Sequence, residues 1–113
     1  MPIPTQLRPA LRSVVDELVR GNYAALERDG RAGRVGAEGL QRAIAEYRRH
    51  LIDLPDEAFE VSGAIEVTNQ ARTWAVDLDL WTEEEGRSDL TLSATVTETS
   101  SGVQVKIEDL HVL

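Results

Sequence analysis

Asp109 and His111, close to the end of the sequence, are the two residues whose types and spacing best suit chemistry. Residues two apart in a β-strand lie on the same face, which brings a carboxylate next to an imidazole. A histidine with such a neighbour can act as a general base near neutral pH. Leu110 and Val112 are the apolar residues of this segment, so we expect them to face the core. The pattern predicts a pair on the outer surface, and the alternative is an acid–base pair that lines an enclosed cavity.

Three aromatic residues lie on apolar stripes and are candidate pocket residues: Tyr23, Tyr47 and Trp74. A tyrosine can pack its ring in a core while its hydroxyl reaches a polar partner. The simplest interpretation is core packing for all three side chains. The alternative is a ligand pocket between helices and sheet, with these side chains in its wall.

Other catalytic and metal-binding chemistries are not indicated. The sequence contains no cysteine, and hence no thiolate nucleophile, disulfide or zinc–thiolate site. His50 and His111 lack the spacing of paired metal ligands, and Glu83–Glu85 lacks the alternating oxygen ligands of a calcium loop. No Gly-x-Ser-x-Gly motif is present. We therefore predict no catalytic residue, no metal site and no cofactor.

The stretch DLDLWTEEEGRSDLTL, residues 77–92, contains a tryptophan among polar residues. Strict alternation from Trp74 turns Trp81 outward, onto the polar face of its strand. An exposed tryptophan can dominate an interface, and closed two-fold dimers are the commonest assembly. One interpretation of the stretch is an interface, with a homodimer first, for which Trp81, Asp77, Asp79 and Arg87 are the candidate residues.

Alternatives that need no partner remain open for Trp81. The ring can fold over the edge of the core where the strand twists, or it can lie flat over the neighbouring strand. Arg87 can stack on the ring or pair with Asp89 across the turn, where an exposed ion pair contributes little. The three glutamates are predicted to form a hairpin turn, in which Gly86 supplies a positive φ.

The elements that must position these residues follow from hydrophobic periodicity. The first 52 residues carry apolar stripes at helical spacing. We expect one helix from residues 6–8 to Gly21, a short helix after Asn22, and a third from about Ala37 to Leu51. A flexible connection is predicted at three glycines, Gly30, Gly33 and Gly36.

Residues 58–113 alternate apolar and polar side chains, which is typical of an antiparallel sheet with one solvated face. Four strands are predicted, around Phe59–Val67, Trp74–Leu80, Leu90–Val96 and Val103–Ile107. Turns are expected at 84–86 and 100–102, and a bulge near Glu108–Asp109 would turn Leu110 and Val112 inward. The predicted fold class is α+β, with two or three N-terminal helices packed on one face of a curved antiparallel sheet of about four strands.

Length and charge limit the type of protein. A chain of 113 residues is expected to form a single domain, with a helical part at 1–52 and a sheet at 58–113. Up to Ile52, 9 Arg accompany 6 acidic residues, whereas 3 basic residues accompany 14 acidic ones afterwards. This acidic half argues against nucleic-acid binding and suits a basic protein partner. Without an apolar run or signal peptide, we expect a cytoplasmic protein that does not bind membranes.

Two segments resemble a known family. The opening LRSVVDELVRGNYAALERD, with its Gly21-Asn22-Tyr23 step, resembles the first helix pair of NTF2-like (SnoaL/cystatin-like) domains, and DLTLSATVTETSSGVQVKIEDLHVL resembles their last hairpin. The resemblance implies an abbreviated NTF2-like fold, whose members serve as small-molecule enzymes, ligand binders and dimeric scaffolds. Enzymes of this fold typically use an Asp/His or Asp/Tyr pair inside the sheet. The whole sequence is most similar to small bacterial domains of unknown function.

We predict a small, non-enzymatic binding or interaction domain that forms a homodimer. The alternative is an NTF2-like enzyme or ligand-binding protein with a pocket around Tyr23, Tyr47 and Trp74. A further alternative is an acidic, immunity-type protein that binds a basic partner. An enclosed cavity with converging polar groups would favour the pocket, whereas a filled core would favour the interaction domain.

Overall fold

The computed structural model describes residues 1–112, which form an α+β fold. Within them, a short 3-10 turn precedes four α-helices: α1 (Arg8–Arg20), α2 (Tyr23–Arg28), α3 (Gly36–Tyr47) and α4 (Glu57–Val61). The five strands are β1 (Leu51–Ile52), β2 (Gly63–Glu66), β3 (Thr73–Thr82), β4 (Gly86–Thr99) and β5 (Gly102–Val112).

All pairings in the sheet are antiparallel, in the order β1-β3-β4-β5, with β2 also paired to β3. β1 pairs with the end of β3 and β2 with its beginning, so these two short strands share one edge. β5 forms the other edge. The sheet curls into a half-barrel, and the predicted fold class is confirmed.

Helix α1 covers the inner face of the sheet and contacts β5. Four residues of its apolar stripe are buried: Leu11, Val14, Val15 and Leu18. Pro9 lies in the first turn, where a proline costs no hydrogen bond, and Gly21 ends the helix in the left-handed conformation with φ of 75°. The sequence predicted both ends of this helix correctly.

The strand predicted through Phe59 and Val61 is wrong, because residues 57–61 form α4. Two apolar residues at alternate positions, here Phe59 and Val61, do not distinguish a strand from a single helical turn. The ring of Phe59 is buried, and the guanidinium carbons of Arg8 and Arg12 lie 5.7 and 5.0 Å from its centre. Two arginines of α1 therefore hold α4 in place, a long-range contact that no local pattern shows.

Helix α3 ends at Tyr47, four residues before the predicted end. Arg48 has φ of 58°, in the left-handed region, and the chain then becomes extended. Leu51 and Ile52 pair with Thr82 and Trp81 as β1. Pairing with a distant strand therefore overrides the helical period of this segment.

Both predicted hairpin turns are present, at residues 83–85 and 100–101. The bulge predicted near Glu108–Asp109 is confirmed, because Ala94 pairs with Ile107 and Ser93 with Asp109, which leaves Glu108 as the extra residue. The bulge turns Leu110 into the core. The expectation for Val112 is wrong, since its side chain is 57% exposed at the end of β5.

The core lies between the helices and the inner face of the sheet. Its largest fully buried side chains come from both layers: Ile3, Leu7, Leu11, Leu18, Leu26, Leu40, Phe59, Leu78, Leu80, Leu90, Leu92 and Ile107. Branched apolar side chains thus fill the space in which an NTF2-like pocket was predicted as an alternative.

Candidate functional site

The Asp109–His111 pair lies on the outer face of the sheet. Asp109 is opposite Ser93 and His111 opposite Thr91, and the intervening Leu110 is buried. The imidazole Nδ1 lies 3.2 Å from the Asp109 Oδ2, but this atom makes no hydrogen bond within residues 1–112. The Asp109 side chain is exposed, which agrees with the expected position of the pair on the outer surface.

The structure does not bring the three predicted pocket residues together. Trp74 is buried at the beginning of β3, opposite Val96. Tyr47 lies near the other end of β3, where its hydroxyl donates to the Glu85 Oε2 at 2.8 Å. Tyr23 begins α2 with a half-buried ring, and this burial raises its pKa.

The three glutamates form an ordered contact with the segment after α3, which we call the hairpin clamp (Tyr47, Arg49 and His50 against Glu83–Glu85). The Glu84 carboxylate accepts from the His50 amide at 2.9 Å and contacts its Nδ1 at 2.6 Å. The Glu83 amide donates to the His50 carbonyl at 2.8 Å. Hydrogen bonds from His50 lower the pKa of Glu84 to about 2, and Glu84 raises the pKa of His50.

Tyr47 and Arg49 extend the clamp to Glu85. The Arg49 Nε lies 3.3 Å from the Glu85 Oε1, and the Tyr47 hydroxyl accepts from the Asp89 amide at 3.2 Å. Burial and then the bond to Glu85 raise the pKa of Tyr47. The predicted hairpin turn is thus also the element that fixes the end of α3.

The prediction that Trp81 points outward is wrong, because the ring is only 9% exposed. The register between β3 and β4 shifts after Asp79, so that Leu80 faces three residues of β4. The Ser88 hydroxyl donates to the Leu80 carbonyl at 2.7 Å in place of a regular ladder bond. β1 also pairs with this end of β3, and residues 80–82 are all buried. The ring therefore belongs to the edge of the core, one of the alternatives that required no partner.

The other predicted interface residues make contacts within the chain. Arg87 pairs with Asp79 at 2.7 Å, rather than with Asp89 or the Trp81 ring. Asp79 also accepts from the Thr91 hydroxyl at 3.0 Å, and Asp77 accepts from the Ser93 hydroxyl at 2.6 Å. These contacts reduce the polar groups that this face offers to a partner.

A groove that sequence reasoning missed runs along the free edge of β5. We call it the β5-edge groove; it has a volume of about 660 Å³ and is open to solvent. One side is formed by α1 and the segment after α2, and the other by the two last strands. Its lining residues are Ala10, Ser13, Asp29, Gly30, Arg31, Thr95, Thr97, Val103, Gln104, Val105 and Lys106.

The chain itself covers one end of this edge. The Ile107 amide donates to the Arg31 carbonyl at 2.8 Å, which is a strand-like hydrogen bond on the side of β5 away from β4. Gly33 follows with φ of 58°, and a Cβ at this position would collide with the Ile107 carbonyl. Gly33 is therefore a close-contact glycine and not only part of a flexible connection.

The next edge positions of β5 are open. Backbone amides alternate in direction along a strand. The amides of Val103 and Val105 therefore point away from β4, as the amide of Ile107 does. Within residues 1–112, their amides have no backbone partner on that side. Gln104 and Lys106 pair with β4 instead. The groove thus runs beside the unpaired backbone amides of Val103 and Val105. Unpaired groups along a strand edge are a template for an added strand.

Arg31 is fixed in the groove wall. Its guanidinium contacts Asp29 through Nε at 2.9 Å and Nη2 at 2.8 Å, and donates to the Ser13 hydroxyl at 3.2 Å. The hydrogen bond between Asp29 and Arg31 lowers the pKa of the carboxyl and raises that of the guanidinium. The two charges neutralise each other, so this wall presents a polar surface with little net charge.

Lys106, the single lysine of the chain, contributes the remaining charge of the groove. It is exposed on the outer face of β5 and makes no ion pair within residues 1–112. Its neighbour across the sheet, Thr95, donates to Glu108 at 2.8 Å. The alternation of Val103, Val105 and Ile107 predicts the strand, but no local sequence signal shows which of its sides remains unpaired.

Two further properties bear on the site. Residues 1–112 contain no group of three histidine or acidic side chains arranged to hold a metal ion. None of the helices in the described part of the chain is long and apolar enough to cross a membrane.

Comparison with known proteins gives one match. The model of a family described as "Domain of unknown function (DUF7668)" matches residues 15–113 of the chain. No curated protein and no solved structure matches the chain.

Proposed function

Because this chain belongs to the DUF7668 family, whose function is unknown, we propose a function from its own geometry: a non-enzymatic domain that binds an extended segment of another polypeptide. The observation that carries the proposal is the open edge of β5 at Val103 and Val105, beside the β5-edge groove. A segment that pairs with an exposed edge gains main-chain hydrogen bonds, and a neighbouring groove accommodates its side chains.

The contact at Ile107 supports this binding mode. The Arg31 carbonyl already accepts from the edge amide of β5, so the edge is accessible to a second backbone. That contact covers a single position and stops before Val105. The segment around Asp29 and Arg31 then forms the groove wall instead of continuing the ladder.

The chemistry of the groove favours binding over catalysis. Its one arginine is neutralised by Asp29, and its other polar residues are neutral apart from Lys106. His50 and His111 both lie outside the groove. The groove lining therefore contains no histidine, the side chain that acts most often as a general acid or base.

The filled core supports a polypeptide ligand over an enclosed small molecule. Fully buried leucines from helices and sheet occupy the space between the two layers. The β5-edge groove is instead open to solvent and lies beside the free edge of a strand, where an extended chain can pair. A relation to NTF2-like domains remains part of the proposal, supported by the order of helices before a curled sheet.

The test is a titration of isotope-labelled protein with a capped peptide of alternating valine and glutamine, followed by NMR. We expect amide shifts at Val103 and Val105 and slower hydrogen exchange there. Val105→Pro removes the central edge donor while keeping the β4 pairing, since proline is tolerated on an edge strand. Val105→Ala, which keeps the donor, is the matched control. Shifts confined to the outer sheet face, or none, would contradict the proposal.

Native mass spectrometry separates this proposal from the predicted alternatives. A monomer without added mass agrees with an unoccupied edge. A dimer would support the predicted homodimer, and a retained mass of a few hundred daltons would favour the small-molecule alternative.

A further inference from the structure

We infer that the strand added at β5 carries a carboxylate side chain, which lies opposite Lys106 on the outer face of the sheet. The inference rests on the proposed function and names the chemistry of the partner segment. Three observations carry it: the direction of the side chains of β5, the distribution of charge in the groove, and the sequence of β5 itself.

Side-chain direction divides the added strand into two faces. Val105 is buried and faces α1, whereas Gln104 and Lys106 are exposed on the outer face. Cross-strand neighbours lie on the same face of a sheet. A residue of the partner opposite Val105 therefore enters the groove beside Ala10, and it must be small or apolar. The residues opposite Gln104 and Lys106 are polar, whichever direction the partner strand runs.

Charge selects among those polar residues. Arg31 and Asp29 neutralise each other in the wall, so the groove retains the single positive charge of Lys106. Lys106 is one of 3 basic residues among the 17 charged residues after Ile52, in a protein of net charge −8. The positive charge of Lys106 attracts a carboxylate on the opposite residue of the partner strand and repels an ammonium group there.

A second copy of this chain does not offer that carboxylate. Antiparallel self-pairing at the open positions can place Val103 or Val105 opposite either valine. Lys106 then faces Ser100, Gly102 or Gln104 of the other copy, none of which is acidic. The partner is therefore a different polypeptide, with an alternating apolar and acidic segment.

The experiment compares three capped peptides in which valine alternates with glutamate, glutamine or lysine. Affinity is read from the Val103 and Val105 amide shifts, so that a basic peptide bound to the acidic sheet face is not counted. At physiological ionic strength, the glutamate peptide should bind up to about fivefold more tightly than the glutamine peptide, the effect of a cross-strand charge pair. Lys106→Glu should reverse the preference toward the lysine peptide. Arg42→Glu, the same charge change on α3 outside the groove, should leave it unaltered.

The outcomes are distinguishable. Equal binding of the glutamate and glutamine peptides at the edge overturns this inference and leaves the proposed function intact. A glutamate preference that survives Lys106→Glu also overturns it. If none of the three peptides shifts Val103 or Val105, the proposed function fails as well. Edge amides already protected in a dimer would show that a second copy occupies β5.

Discussion

Glu84 holds His50 by two contacts at once, one to the backbone amide at 2.9 Å and one to the ring Nδ1 at 2.6 Å. The residues are 34 positions apart, so the contact ties the end of α3 to the β3–β4 hairpin. A carboxylate that accepts hydrogen bonds from a backbone amide and a protonated imidazole is stabilised in its charged form. The hairpin clamp is therefore a part of the molecule whose stability depends on pH.

The first prediction concerns the direction of that pH dependence. The pKa of Glu84 is lowered from 4.5 to about 2, so its contribution to stability is complete above pH 4.5 and is lost as the pH falls toward 2. The pKa of His50 is raised above 6.5, so its contribution is complete below pH 6.5 and is lost as the pH rises through the raised value. We expect the clamp to be strongest between pH 4.5 and 6.5.

Thermal unfolding of wild type and Glu84→Gln across this pH range tests the prediction. The difference in Tm should be largest between pH 4.5 and 6.5 and should shrink on both sides. Glu46→Gln removes an exposed carboxylate of α3 outside the clamp and is the control. A Tm difference that does not vary with pH would show that the charged pair contributes nothing.

A second prediction compares two glycines that both have positive φ. At Gly30, with φ of 83°, a Cβ would meet nothing within 4 Å, so Gly30→Ala should cost only the left-handed backbone penalty of about 1–2 kcal/mol. Gly33→Ala should cost more, because its Cβ collides with the Ile107 carbonyl and would disrupt the Arg31–Ile107 hydrogen bond, worth about 1 kcal/mol. Chemical denaturation of both variants measures the difference. Equal losses would mean that the segment can move away from β5 without cost.

These two regions show what could and could not be predicted from the sequence. The apolar stripe of α1, the cap at Gly21 and the change of phase near Glu108 are local signals, and each predicted its structure correctly. The β5-edge groove depends on which segment lies beside β5, and a glycine that must approach a distant carbonyl looks the same in sequence as a flexible one. Long-range pairing likewise forms β1, and contacts from Arg8 and Arg12 on α1 hold α4.

A third prediction concerns Arg12, which connects α1 to α4. Its guanidinium lies 5.0 Å from the centre of the Phe59 ring and donates to the Leu54 carbonyl at 2.7 Å and to Asp56 at 2.9 Å. Arg12→Ala should destabilise the fold by about 1–2 kcal/mol, through the lost cation–π contact and the unpaired carbonyl. Arg12→Lys should recover only part of this loss, because an ammonium group lacks the planar fork of the guanidinium.

Arg42→Ala is the matched control for Arg12. Arg42 makes one exposed pair with Glu38 on the same helix at 3.3 Å, and such pairs contribute about 0.3–0.5 kcal/mol. Urea unfolding of the three variants gives the comparison. A loss for Arg12→Ala no larger than that for Arg42→Ala would show that α4 is held by its buried residues alone.

The last prediction concerns Trp81, whose truncation has different effects on stability for a surface position and for a core position. An exposed interface residue can be truncated with little change in monomer stability, whereas removal of a buried tryptophan leaves a cavity. Since the ring is 9% exposed, Trp81→Ala should destabilise the monomer by about 3–5 kcal/mol. Trp81→Phe, which refills most of the space, should recover much of the loss. Denaturant unfolding gives these values, and native mass spectrometry of the folded variants gives the oligomeric state. If Trp81→Ala leaves the free energy of unfolding unchanged but abolishes a dimer, the interface at Trp81 is restored. A large loss of stability in a protein that is monomeric with and without the substitution supports a core position for the Trp81 ring.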